Sequence, residues 1–298
     1  MSQIPAPALA TISRSRRLPI PGEVLVQLGQ SVQADTLVAR TEIPGVPIPV
    51  RVAARLSIEP QYIHRYMLKQ EGEAVDAGEP LALLTSFFGR SKEYVTAPRA
   101  GTVESVSPQS GIVVIREPSI PVSTVAYLAG IVAEIIPQEG AVIEAVAKVV
   151  FGTFGIGGER YGRLQVVSPN PEATLLPEHI TKEAAGAVIL AGADVSADAL
   201  RKAASLNVVG IIAGSIDNTA LREYLGYEIG VPITGQEDTV TTLILTSGFG
   251  RLPMDAGLWR VLSGHAGEIV SINGTTHLRS NLVKPEIIIS VAQPGAED

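Results

Sequence analysis

The chain has no cysteine, which excludes a disulfide framework, a thiolate metal site and a cysteine nucleophile and fits a reducing compartment. Aromatic residues make up only 4% of it, so its cores have to be built from Val, Ile, Leu and Ala. Charge is sparse as well, at 18%. Set against 46% hydrophobic residues, that excludes disorder over most of the length, because disordered chains combine low hydrophobicity with high charge. No apolar run reaches the ~18 residues that a membrane helix needs. Residues 1–21 also lack the continuous apolar stretch of a secretory signal. Cations are outnumbered, 23 Lys and Arg against 30 Asp and Glu, for a net charge of -7. Gripping nucleic acid requires clustered cations, so nucleic acid is not the expected partner. A cytoplasmic protein without a membrane span is the expectation.

What the chain has in quantity is punctuation, with 29 Gly and 21 Pro among 298 residues. Arg14, Arg16 and Arg17 form its one compact basic cluster. Pro5, Pro7, Pro19 and Pro21 interrupt any amphipathic helix around them. Residues 1–21 therefore read as a flexible tail, although their Ser- and Arg-rich, acid-free composition is also that of organellar transit peptides.

From Gly22 the pattern alternates in twos, as in Glu23-Val24-Leu25-Val26-Gln27-Leu28, and breaks at Gly29, which reads as strand, turn, strand. The phrase Gly29-x-x-Val32-x-x-Asp35-x-Leu37 returns as Gly72-x-x-Val75-x-x-Gly78-x-x-Leu81, with a slightly different turn length. A second repeat starts at Gly101 and again at Gly130. Gly101-Thr102-Val103 through Pro108-Gln109 to Gly111-Ile112-Val113 matches Gly130-Ile131-Val132 through Pro137-Gln138 to Gly140-Ala141-Val142 at six of thirteen positions. Each copy predicts two strands around a turn, since Pro presets φ and Gly supplies the positive φ that lets the chain return.

Ser168-Pro169-Asn170-Pro171 reads as a linker, and the texture beyond it changes to strands alternating with helices. Strands are expected at Gly186–Leu190, Val208–Ala213, Leu243–Thr246, Glu268–Ile272 and Glu286–Val291. Helices are expected at Ala197–Ser205, Asn218–Leu225 and Met254–Ser263, with Ser196 and Asp217 as N-caps and Gly226 as a C-terminal stop. The predicted organisation is a tail (1–21), a β-rich domain (22–125), a β-rich extension with a Gly-rich loop (126–171) and a C-terminal α/β domain (172–298) with a partly parallel sheet.

The segment from Tyr66 to Val114 carries Gly72, Val75, Gly78 and Leu81, then Ala97-Pro98-Arg99-Ala100-Gly101-Thr102-Val103. It resembles the biotinyl/lipoyl carrier domain, a barrel-sandwich hybrid fold. Superposing the Ala-Pro-x-x-Gly elements puts Arg90 where that family has its acceptor lysine, with Lys92 two residues away. A guanidinium is not acylated as an amine is. The flanks Phe87-Phe88-Gly89 and Ser91-Lys92-Glu93 match neither the biotin nor the lipoate pattern. The resemblance thus implies the fold without covalent cofactor, as in the unmodified modules of pump adaptors, RNA polymerase subunits and respiratory-complex subunits.

Among candidate sites, Gly152 to Gly158 invites a phosphate-loop reading. No Gly-Lys-Ser/Thr follows and a strand comes next, so a structural turn cluster is the expectation. In the α/β region, the expected carboxyl ends of strands gather Asp194, Ser196, Ser215, Asp217, Ser247 and Gly248, where open sheets bind ligands. A small anionic ligand there is one reading; helix capping and turning is the other. His64, His179, His265 and His277 show no metal-ligand spacing, and His277 is expected on an exposed hairpin after Asn273-Gly274. No Ser-His-Asp order or nucleophile elbow is present.

The preferred expectation is a non-catalytic accessory or assembly protein that docks a protein partner or a second copy through an unmodified lipoyl-like module. The alternative is an enzyme or enzyme component whose α/β domain holds an anionic metabolite. A transcription-related module is a third, less favoured class.

Overall fold

The computed structural model describes residues 7–85, 91–226, 239–276 and 283–291. The chain divides into two compact units. One comprises Met1–Pro19, Glu23–Ala39 and Thr124–Asp298; the other comprises Ile20–Gly22 and Arg40–Ser123. The protein is β-rich with a large mixed sheet. Among the described residues no helix is long and apolar enough to cross a membrane.

Both sequence repeats are structural, and they interlock. In the first unit, Gly29 N–H donates to Val132 O at 2.8 Å and Val132 N–H returns to Gln30 O at 2.9 Å. In the second, Gly72 N–H donates to Val103 O at 2.8 Å and Val103 N–H to Glu73 O at 2.9 Å. Leu25 bonds Val38 as Leu68 bonds Leu81, and Ala126 bonds Thr36 as Ala97 bonds Glu79. A copy of the first repeat therefore pairs with a copy of the second inside each unit. Val38, fully buried, occupies the place of Leu81, while Leu37 is exposed. The turn length is thus the same in both copies, contrary to the alignment of Leu37 with Leu81. Gly29 and Gly72 sit at φ 79° and 89°, the left-handed region that glycine enters without penalty. In sequence, Arg40–Ser123 of the second unit is inserted between the two halves of the first unit's hairpin pair.

The second unit closes around Val50, Leu56, Ile63, Leu81, Val95, Val103, Val113 and Ile115. Its four-stranded sheet runs Pro47–Val50, Ile112–Arg116, Gly101–Ser107, Ala74–Val75, and Pro80–Thr85 pairs separately with Lys92–Thr96.

In the first unit, Leu9–Arg17 forms strand β1, antiparallel to β3 (Gly140–Phe151), which also pairs with β2 (Gly130–Ile136). The segment read as a flexible tail is thus a nine-residue strand. Its Thr-x-Ser-x-Ser alternation fits a strand that shows one face to solvent, and its ladder partner lies some 130 residues on. The sheet continues through β4 (Phe154–Ile156), β5 (Glu159–Val166), β6 (Val188–Leu190), β7 (Gly210–Ile216), β8 (Thr242–Phe249), β9 (Ile269–Asn273) and β10 (Glu286–Ser290). Its order is β4-β8-β7-β6-β5-β9-β10-β3-β2, with β5 to β8 mutually parallel. One sheet therefore crosses the boundary expected at residue 171, and Ser168–Pro171 is a loop within it.

Helices α1 (Ala197–Ser205) and α2 (Asn218–Leu225) have the predicted bounds, with Ser196 and Asp217 as N-caps and Gly226 left-handed at φ 78°. The third, α3, is Ala256–Ser263, and Asp255 caps it. Helices α1 and α2 cover the face carrying Ile189, Ile211, Ala213, Leu243 and Leu245. The other face, with Val188, Leu190, Ile212 and Ile244, packs under α3. Apolar burial on both faces is why these strands read as unbroken hydrophobic runs rather than alternating ones. Beside them, Ile288 of β10 and the alternate residues Ala141, Ile143, Ala145 and Ala147 of β3 join Val26, Val38, Tyr127, Leu128 and Val132 in a further core.

Candidate functional site

The carboxyl ends of β6, β7 and β8 bring the predicted residues into one region. Backbone close approach shapes it. A Cβ on Gly214 would stand 2.6 Å from Leu252 O, and one on Gly192 would stand 2.4 Å from Asn170 O, so only glycine lets these loops pack on the strand ends. Gly248 and Gly250 both lie at φ 106°, which allows Ser247 to Met254 to fold back over β7.

Most of the polar groups there hold the scaffold. Ser215, fully buried, donates from Oγ to Leu252 O at 3.0 Å and accepts from Leu252 N–H at 2.8 Å. Ser247 donates to Pro253 O at 2.9 Å. Ser196 accepts from Ala199 N–H, and Asp217 accepts from Thr219 N–H at 2.8 Å. That amide bond, with lesser help from Arg251, holds the Asp217 carboxyl below its ordinary range. Gly248 contributes backbone freedom.

Asp194 is different. It is a buried carboxylate at a strand end, receiving Thr174 Oγ1–H at 2.5 Å on one oxygen and Arg251 Nε–H at 3.3 Å on the other. The Arg251 side chain is 80% exposed, so a guanidinium anchored at its base by Asp194 reaches into solvent. Thr174 and Arg251 were not among the predicted residues. The position of Arg251, directly after Gly248-Phe249-Gly250 at a strand end, was the signal for it.

Outside this region, the glycines of the Gly-rich segment serve packing. A Cβ on Gly155 would stand 2.6 Å from Gly274 O, and one on Gly157 would stand 2.6 Å from Thr239 Oγ1. The segment holds β4 and the turn into β5. Lys92 opens the strand Lys92–Thr96 and is exposed. Arg90 and His277 lie outside the described residues. Strands β9 and β10 are antiparallel neighbours, but residues 274–285 join them, so Asn273-Gly274 is not a two-residue hairpin turn. Gly274 is instead pressed against Ile156 O. A cavity of ≈ 660 Å³ lies over β5, with Arg163, Gln165, Glu183 and Gly267 in its walls; none of the six predicted residues lines it. Among the described residues no three acidic or histidine side chains converge as a metal site would require.

Compared with family models, curated proteins and solved structures, the chain matches none.

One buried group eluded the sequence reading. Tyr127 is 1% exposed, sits at φ 66° and leaves its hydroxyl without a hydrogen-bond partner among the described residues. Arg16 lies over its ring at 5.2 Å, and the Tyr127 carbonyl accepts from Ser271 Oγ–H. Burial first, then the nearby Glu286 and Glu159, push its phenol well above the ordinary range. Its position matches Pro98 of the other copy, by the 29-residue offset of the second repeat.

Proposed function

We propose that this chain is a non-catalytic accessory or assembly protein, built on two lipoyl-like barrel-sandwich modules that dock a protein partner or a second copy without carrying a prosthetic group. The observation that carries this reading is the duplicated lock, Gly29 with Val132 and Gly72 with Val103. Two interlocking hairpins about a pseudo-repeat are what the barrel-sandwich resemblance implies. Leu25 and Leu68, at equivalent positions, are 36% and 50% exposed, which supplies apolar surface on each module. Lys92 stands in a strand rather than at a turn. The test is intact-mass measurement on protein from its native cells, together with sedimentation of wild type and the Leu25→Ser/Leu68→Ser variant. An unmodified mass, and a self-association or partner complex that the variant weakens, support the reading. A biotin- or lipoate-sized increment on Lys92 would sink it. So would turnover of phosphoester or acyl substrates that persists through purification.

A second reading is favoured by Arg251. An exposed guanidinium fixed by Asp194 at the strand ends fits a carboxylate or phosphate group of a metabolite. Thermal-shift titration with inorganic phosphate and citrate tests it: stabilisation that vanishes in Arg251→Ala supports this alternative, and no stabilisation removes it.

A further inference from the structure

Lys148 is a cation set within the apolar run of β3. Its neighbours Ala147 and Val149 pack into the core around Val132 and Ile143, while Val150 belongs to the core under α3. By the two-residue period of a strand, Lys148 shares the face of Val150. From there its ammonium reaches His265, in the turn that follows α3, with Nζ 3.1 Å from ring Nε2. The other ring nitrogen, Nδ1, lies 3.0 Å from Oε2 of Glu268. Lys148 pairs with Ile289 of β10, so the contact ties β3 to a turn with which it shares no ladder.

The chemistry selects one form of the ring. An ammonium only donates and an ionised carboxylate only accepts. The ring therefore meets both partners when Nε2 offers its lone pair to Lys148 and Nδ1–H points to Glu268, which is the neutral Nδ1–H tautomer. A second proton on Nε2 would aim an N–H at an ammonium 3.1 Å away, replacing a hydrogen bond with a like-charge contact. The Glu268 contact survives that change and becomes an ion pair. Protonation thus discriminates between the two partners.

We propose that Lys148, His265 and Glu268 form a proton-operated latch. It ties β3 to the turn after α3 while the His265 ring is neutral, and it releases β3 when the ring gains a proton. Among the described residues, Lys148 from β3 and Glu268 on the ring's own turn contact it; Arg163 of β5, whose guanidinium donates to Gly267 O, and Arg260 in the last turn of α3 are the cations on the elements next to that turn. Release matters because β3 is shared. Its first residues pair with β2 in the hairpin module and its last five with β10 of the α/β sheet. The latch sits where those two bodies of the first unit join.

The experiment is long-range ¹H–¹⁵N NMR of the His265 ring in the full chain from about pH 5 to 8. Amide exchange at residues 147–151 is followed in parallel and corrected for its intrinsic pH dependence. The expected result is an Nδ1–H tautomer in the neutral ring, and exchange on the order of tenfold faster as the ring protonates, the effect of losing one charged hydrogen bond. His265→Gln keeps an acceptor for Lys148 but does not titrate, so its exchange stays flat. In Lys148→Met exchange no longer follows the protonation of the ring. A neutral Nε2–H tautomer overturns the latch. So does wild-type exchange that ignores the ring, or exchange in Lys148→Met that still tracks it.

Discussion

Gly29 donates its N–H to the carbonyl of Val132 at 2.8 Å, and 43 residues along the chain Gly72 makes the same bond to Val103. Neither glycine has an atom within 4 Å of where a Cβ would stand, so the left-handed backbone alone demands glycine. Gly29→Ala and Gly72→Ala should each cost about 1–2 kcal/mol. Trp259 packs in the first unit, so its fluorescence reports that unit's unfolding. Gly29→Ala should lower the denaturant midpoint seen by Trp259, and Gly72→Ala should leave it in place. Equal shifts would contradict separate closure of the two units.

Excision offers a harsher check. Replacing residues 44–118 with a short turn removes most of the second unit while sparing both halves of the first unit's lock. Such a chain should melt cooperatively with native Trp259 emission. A molten product would mean that the outer hairpin pair cannot close without its insert.

The Tyr127 hydroxyl contributes no bond, so Tyr127→Phe should be neutral or stabilising by roughly 1 kcal/mol. The pH profile is more telling. A phenol whose pKa is raised in the folded state keeps its proton there while the unfolded chain loses it. Stability therefore falls as pH rises past the ordinary tyrosine value of 10.0. Wild type should lose up to about 1.4 kcal/mol per pH unit more than Tyr127→Phe in that range. Parallel profiles in chemical denaturation would refute this.

Ser215 and Ser247 separate scaffold from site. Ser215→Ala removes the buried hydroxyl that bonds both the N–H and the carbonyl of Leu252, at a cost of about 1–3 kcal/mol. Ser247→Ala gives up one bond from a half-buried hydroxyl and should cost less than about 1 kcal/mol. Urea midpoints decide. A silent Ser215→Ala would show that the loop from Ser247 to Met254 does not depend on it.

Gly157→Ala combines φ 85° with a clash against Thr239 and Thr242. It should destabilise by on the order of 3 kcal/mol. Gly158→Ala meets nothing nearer than Arg160 at 3.9 Å and should be tolerated. A thermal-melting series showing the reverse order would undo the packing account of these glycines.

Where local chemistry decides structure, the sequence was readable. Ser196, Asp217 and Gly226 fixed the ends of α1 and α2, because a cap satisfies orphan amides wherever the helix packs. The two repeats were visible, since each copy needs its own turn glycine and the second repeat also needs its proline. Their interlocking was not, because it pairs residues 103 apart in one copy and 31 apart in the other, and no local rule specifies which hairpin meets which. The strand at Leu9–Arg17 was hidden for the same reason, and the prolines on either side of it, Pro5, Pro7, Pro19 and Pro21, drew the reading toward a tail. At the candidate site, Ser215 and Asp194 look alike in one dimension. Only burial and partners distinguish a strut that is fully bonded to Leu252 from a carboxylate that holds an exposed guanidinium.

The order of synthesis gives the insertion a kinetic meaning. Gly29 leaves the ribosome about a hundred residues before Val132, and Arg40–Ser123 of the second unit emerges between them. Glu117 N–H bonds Val46 O, so once that unit folds its two chain ends are fixed side by side. The outer hairpin then closes a short gap rather than a long floppy one, and closure entropy grows with the length of free chain. Translation thus lets the later-made body fold early and act as the spacer that delivers Val132 to its waiting glycine.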